Sequence, residues 1–142
     1  MLNKKYIIKF KEALKKENLK FTDQRFLVFN TLLKNGGHLE CEDIIRMVNK
    51  NGKKVSRATT YRTLDILEKY GFVRKLILDD GIARYENKLF TQHHDHMIDI
   101  ETNEIIEFVD DEIEKIQNQI AQDHGYKIVK HVHQLFVKKI KK

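Results

Sequence analysis

Four consecutive residues, His93-His94-Asp95-His96, hold three imidazoles and a carboxylate directly ahead of the apolar run Met97-Ile98-Asp99-Ile100. An extended chain alternates its side chains between two faces. As a strand, this segment turns His94 and His96 one way and His93 and Asp95 the other. One short segment can then feed two metal sites on opposite sides of a sheet. Neutral imidazole is the commonest metal ligand, and mixed imidazole and carboxylate sets suit zinc, iron or manganese. The plainer alternative is a solvated polar turn or an affinity-tag run. A tag, however, sits at a terminus, runs longer and carries no apolar strand behind it.

The 142 residues suffice for one ordinary domain or two small ones. With 41% hydrophobic and 34% charged residues, the composition is globular, not disordered. No apolar run approaches a membrane span, and the start, Met1-Leu2-Asn3-Lys4-Lys5-Tyr6, lacks the apolar core of a signal peptide. A cytoplasmic protein without membrane contact is expected. Cys41 is the single cysteine, which excludes an intrachain disulfide and a Cys-x-x-Cys zinc site. It lies in a helical pattern and reads as a small packed residue rather than a nucleophile. The net charge of +6 favours a polyanionic partner. Its distribution says more: residues 1–75 are rich in Lys and Arg, whereas 92–124 are acidic and rich in His. A basic N-terminal module and an acidic, metal-friendly C-terminal one follow.

Periodicity predicts four helices. The first covers 4–17. The second is capped by Thr22 or Asp23, with Phe26, Leu27, Phe29, Leu32 and Leu33 inward. The third runs from Glu40 to Asn49. The fourth starts at Ser56 and ends at Gly71, with Leu64, Leu67 and Ala58 or Tyr61 inward. Two extended runs, Phe72–Leu78 and Ile82–Asn87, flank Asp79-Asp80-Gly81, and Asp-Gly between such runs predicts a hairpin. This is the order of a winged helix-turn-helix, with the fourth helix as recognition helix. A linker at 88–93 leads to strands His94–Ile100 and Glu104–Phe108, a helix over Asp110–Asp123 and a strand over Tyr126–Val137. The fold class is therefore α+β: a winged helix over 1–87, a hinge over 88–93, and a small α/β domain over 94–142. The second module is too small to bury enough surface alone, so dimerisation is expected.

A helix that reads the major groove needs short polar residues at its N-terminal end and basic ones for phosphate. Residues 56–63 meet this: Arg57, Thr59, Thr60, Tyr61 and Arg62 cluster there. The Tyr61 ring can meet a thymine methyl while its hydroxyl reaches a phosphate. Lys20 and Arg25, flanking the second helix, can reach the DNA backbone or minor groove. A metal-dependent hydrolase is the rival class. A catalytic metal keeps an open coordination position, and so many candidate ligands would fill it, so the chain does not read as an enzyme.

These residues carry a resemblance. Thr22-Asp23-Gln24-Arg25, Ala58-Thr59-Thr60-Tyr61-Arg62-Thr63-Leu64, His93-His94-Asp95-His96-Met97-Ile98 and Ile105-Ile106-Glu107-Phe108 together resemble the ferric uptake regulator family, in order and over nearly the whole chain. The Met-Ile-Asp form of the strand is most similar to alphaproteobacterial members, some of which respond to manganese. The resemblance implies a metal-dependent repressor of metal-homeostasis genes, with Fe(II) or Mn(II) as corepressor and Zn(II) as a further occupant of either site. It implies a homodimer or tetramer on an AT-rich palindromic operator. It places the regulatory site on His38, Glu86, His94, His96 and Glu107, and a second site on His93, Asp95, Glu114 and His131. His124 and His133 are left as surface or packing residues. Many relatives hold zinc in Cys-x-x-Cys pairs; here the first pair's positions are Asp99 and Thr102, and the second pair is absent. A zinc- or peroxide-responsive regulator of the same family is the alternative. Peroxide sensors of the family favour Asp where this chain has Glu86 and Glu107, and its zinc sensors usually keep the cysteines.

Overall fold

The computed structural model describes residues 4–89 and 93–141. Residues 90–92 of the expected 88–93 hinge lie outside the described residues. Contacts divide the chain into two compact units, residues 1–77 with 81–91 and residues 78–80 with 92–142. None of the described helices is long and apolar enough to cross a membrane.

The first unit holds α1 (Lys4–Lys16), α2 (Asp23–Lys34), α3 (Cys41–Lys50), α4 (Arg57–Lys69), β1 (Val73–Ile77) and β2 (Ala83–Asn87). Each helix after the first starts where a side chain satisfies an orphan N–H. Thr22 Oγ1 accepts from Arg25 N at 3.3 Å. Glu40 and Asp43 form a reciprocal capping box. Ser56 Oγ accepts from Thr59 N at 3.0 Å. Gln24 Oε1 also accepts from Ser56 N at 3.3 Å, tying the start of α2 to the start of α4. The end of α4 is a Schellman turn: Gly71 takes φ 81, Phe72 N donates to Leu67 O at 2.8 Å, and Gly71 N donates to Glu68 O at 3.1 Å. Replacing Ser56 with alanine is expected to lower stability by about 1 kcal/mol, measured as a shift of the urea midpoint. An unshifted midpoint would show that water caps this helix equally well.

The core of this unit is aromatic. Phe10 of α1 stacks on Phe29 of α2 at 4.2 Å, and Phe72 meets both edge-on at 6.4 and 5.6 Å. Val28, Leu32, Ile44, Val48, Leu64 and Leu67 close around them. The expected inner stripe of α4 needs correction. Ala58 and Tyr61 are exposed, and Thr60, Thr63 and Ile66 are buried instead. Both threonines can face inward because each hydroxyl donates to the carbonyl one turn earlier, Thr60 to Ser56 O at 2.9 Å and Thr63 to Thr59 O at 2.7 Å. Cys41 is buried as expected, and burial pushes its thiol up.

β1 and β2 pair antiparallel from Val73↔Asn87 to Ile77↔Ala83, and Gly81 supplies the positive φ of their turn. A two-sided bridge joins Leu39 to Tyr85, with N···O distances of 2.9 and 2.7 Å.

The second unit holds β3 (Asp95–Asp99), β4 (Ile105–Phe108), α5 (Asp111–Asp123) and β5 (Gln134–Val137), with sheet order β4-β3-β5. β3 is central, antiparallel to β4 and parallel to β5. Asp110 Oδ1 caps α5, accepting from Glu112 N at 2.9 Å and Ile113 N at 3.3 Å. The expected strand Tyr126–Val137 is reduced to its last four residues. The register sets Gln134 beside His96, so the residues before His133 run past the start of β3 and find no ladder there. The apolar stripe of α5 stays uncovered, with Ile116 59% and Ile120 55% exposed.

The β3–β4 turn is closed by Asp99, whose Oδ1 accepts from Glu101 N at 2.9 Å and Thr102 N at 3.3 Å. The backbone N–H of Glu101, first of all, holds the Asp99 carboxyl below its ordinary range. A carboxylate whose folded pKa is depressed stabilises above the unfolded carboxylate range. That contribution is lost as pH falls through the folded pKa. The difference in urea midpoint between wild type and Asp99→Asn is therefore expected to be widest near neutrality and to close on acidification. A difference that stays constant with pH would mean that the Asp99 charge has no part in the turn.

Candidate metal centre and nucleic-acid interface

Alternation along β3 sorts the donors as expected. On one face, His93, Asp95, Glu114 of α5 and His131 converge. Their ligand atoms all lie within 4.8 Å of one another. His131 Nε2 is 3.0 Å from Asp95 Oδ1 and 3.5 Å from Glu114 Oε1. His93 Nε2 is 3.5 and 3.3 Å from the same two oxygens, and 3.0 Å from His131 Nε2. Asp95 is only 2% exposed. A buried carboxylate facing two imidazoles and a second carboxylate is a costly arrangement unless a cation or proton neutralises it. Glu114 Oε1 is buried without a hydrogen-bond donor among the described residues. Two imidazole nitrogens and two carboxylate oxygens fit a divalent ion such as Zn(II), Fe(II) or Mn(II).

The other face of β3 gathers different donors. His94 and His96 rings lie 4.7 Å apart, edge to face. His94 Nε2 is 3.4 Å from Glu107 Oε1, and Glu107 is the antiparallel partner of His96. In the first unit, His38 Nε2 lies 2.8 Å from Glu86 Oε2. The Leu39↔Tyr85 bridge explains this pair, because the residues next to a bridged antiparallel pair face each other in turn. The Arg74 guanidinium holds the other oxygen, Glu86 Oε1, at 2.9 Å. Glu86 is thus a buried carboxylate oriented between an arginine and an imidazole.

One member of this region escaped the sequence reading. His133 sits beside the first group, its Nδ1 4.0 Å from Asp95 Oδ2. The only sequence cue was its spacing of two from His131, which puts both on one face of an extended chain.

At the N-terminal end of the fourth helix, three of the five residues expected to meet DNA are exposed and one is buried. Tyr61 is 45% exposed, and Arg57 and Arg62 are exposed. Thr60 is fully buried, with its hydroxyl turned to Ser56 O, so it cannot meet a base. Thr59 is half-buried, and its Oγ1 accepts from Ser56 Oγ at 2.8 Å. Arg57 Nε donates to Glu42 Oε1 at 2.7 Å, which aims the guanidinium across the α3–α4 face. Arg25 Nη1 donates to Lys20 O at 2.5 Å, so Arg25 shapes the loop that carries Lys20.

Comparison with known proteins agrees over nearly the full length. The model of the ferric uptake regulator family matches residues 16–136. The ferric uptake regulation protein of Brucella abortus is 32% identical over 132 residues, 93% of each chain. The ferric uptake regulator of Pseudomonas aeruginosa, solved with manganese, superimposes with a TM-score of 0.79 at 35% identity, covering 92% of this chain and 97% of that one. The ferric uptake regulator of Helicobacter pylori, described as having three functional metal binding sites, gives 0.81 at 33% identity, covering 96% and 90%. A winged-helix order, donors sorted to both faces of one strand and these likenesses lead to one conclusion: this chain belongs to the ferric uptake regulator family.

Proposed function

We propose that this chain is a metal-dependent repressor of metal-homeostasis genes, acting in the cytoplasm as a homodimer or tetramer on an AT-rich palindromic operator. The observation that carries the reading is the sorting of His and carboxylate donors to opposite faces of β3. Arg57, Thr59, Tyr61 and Arg62 contact the operator, and Lys20 and Arg25 support the backbone contacts. His38 and Glu86 from the first unit and His94, His96 and Glu107 from the second take one corepressor ion, Fe(II) or Mn(II). The resemblance supports this assignment, as does the fact that each unit pre-pairs its own share of donors. His93, Asp95, Glu114 and His131 hold a second ion, with Zn(II) as a further occupant of either site. The uncovered stripe Ile116 and Ile120, with the exposed Leu135 and Phe136 of β5, supports pairing of two copies.

The ion supplies a cationic centre that all its ligands share. The protein's own part is to convert that sharing into orientation. Ligands contributed from both units restrict their relative freedom, and a dimer so restricted presents two recognition helices at one spacing. Metal and DNA then strengthen each other's binding by the same factor. Among candidate ions, affinity order alone does not choose between Fe(II) and Mn(II), because cellular supply decides.

The test is an operator titration at fixed salt, with chelator and then with Mn(II), anaerobic Fe(II) or Zn(II). Tightening of about tenfold or more, roughly 1.4 kcal/mol, by one of the first two supports the reading. Zinc acting alone favours a zinc-responsive regulator. Equal affinity with chelator rejects the metal switch. Tyr61→Ala is expected to weaken operator binding with every metal, because the ring is lost from the helix end and not from a metal site.

A further inference from the structure

We propose that His133 is a positioning residue for the His93/Asp95/Glu114/His131 centre: its Nδ1–H holds Asp95 Oδ2, leaving Oδ1 to face the ion. The proposal rests on the reading that this set of residues binds a metal. The sheet register carries it. Asp95 is paired with Phe108 across β4, and the parallel register that pairs His96 with Gln134 sets His133 beside Asp95. Phe108, Asp95 and His133 therefore stand in one cross-strand row on one face. The backbone of His133 is pinned there, its carbonyl accepting from His96 N at 3.3 Å. Phe108 meets the His133 ring edge-on at 5.7 Å and limits its rotation.

The two Asp95 oxygens have separate surroundings. Oδ1 faces His131 at 3.0 Å and His93 at 3.5 Å, the side of the converging donors. Oδ2 faces His133 Nδ1 at 4.0 Å. That nitrogen is buried and has no hydrogen-bond partner among the described residues. A buried imidazole nitrogen left unpaired is costly, and about 1 Å of closure would bring it within hydrogen-bond range of Oδ2. With Oδ1 turned to His131 and His93, Oδ2 is the oxygen left for that donor. Metal-bound carboxylates are commonly held by such an outer hydrogen bond, whose loss costs roughly 10–100-fold in metal affinity.

The experiment measures Zn(II) affinity by competition with a chromophoric chelator, and the visible spectrum of the Co(II) form, in the full chain carrying His94→Ala. His133→Leu is expected to bind Zn(II) roughly 10–100-fold more weakly and to change the Co(II) bands. His133→Gln, whose amide can still donate, is expected to recover most of both. Parent-like binding by His133→Leu overturns the proposal, and so does His133→Gln no better than His133→Leu. His131→Ala serves as a separate arm. If it too binds like the parent, the metal reading of the set fails, whatever His133 does. Should His133→Leu not fold, nitrogen NMR of the Zn(II)-loaded wild type decides. A proton on His133 Nδ1 supports the proposal, and a bare Nδ1 overturns it.

Discussion

In the His94→Ala/His96→Ala variant, operator binding is expected to lose the tightening of about tenfold or more, roughly 1.4 kcal/mol, that Mn(II) or Fe(II) gives the wild type. Binding with chelator present is expected to be unchanged. The reasoning starts from donor count. His94 faces Glu107 at 3.4 Å, and the two rings lie 4.7 Å apart. Removing both imidazoles leaves Glu107 of the donors named on this face of β3, and the proposed set falls from five ligands to His38, Glu86 and Glu107, too few to hold the ion as firmly. His96 is also 2% exposed, so its truncation leaves a cavity. Circular dichroism and thermal unfolding of the variant separate this cost from the loss of metal. A folded variant that still tightens fully with metal sinks the switch, because no ion could then depend on these ligands.

The second large effect belongs to the scaffold. Phe29→Ala is expected to destabilise the first unit by about 3–5 kcal/mol. Such a loss takes a large share of the roughly 5–15 kcal/mol that holds a typical domain. Phe29 is fully buried, stacked on Phe10 and met edge-on by Phe72. Its ring is shared by α1, α2 and the segment entering β1, so a cavity there cannot close by moving one element. DNA binding is expected to fail with and without metal, unlike the first variant. Phe21→Ala is the control: its ring is exposed at the rim of the same cluster, and its loss is expected to be small. A urea midpoint for Phe29→Ala close to wild type would show that this stack does not organise the core.

Local patterns were legible where the physics is local. The cap at Thr22 or Asp23, the helix starts near Ser56 and Asp110, the Gly71 stop and the Asp79-Asp80-Gly81 hairpin each depend on a few neighbouring residues, and the structure caps these helices at Thr22, Ser56 and Asp110 and keeps the stop and the hairpin. The two-faced reading of His93–His96 held for the same reason, because strand alternation is a property of the backbone alone. The family's ligand residues, by contrast, came from resemblance. No periodicity marks Glu114 or His131 as belonging to one set.

What only tertiary structure decided are matters of partnership. The alternation of Tyr126–Val137 promised a long strand, yet pairing covers only Gln134–Val137, since β3 offers no ladder before Asp95. Thr60 looked like a base-reading residue and is buried, because its hydroxyl can satisfy itself on Ser56 O, whereas the larger Tyr61 stays outside. His133 looked like a packing residue until the parallel register set it against Asp95. Sequence by itself determined the order of elements, the helix ends and the face on which each β3 donor stands, for these follow from backbone geometry and neighbours a few residues away. Which of those residues meet across the chain was decided by register and burial, which depend on segments tens of residues apart.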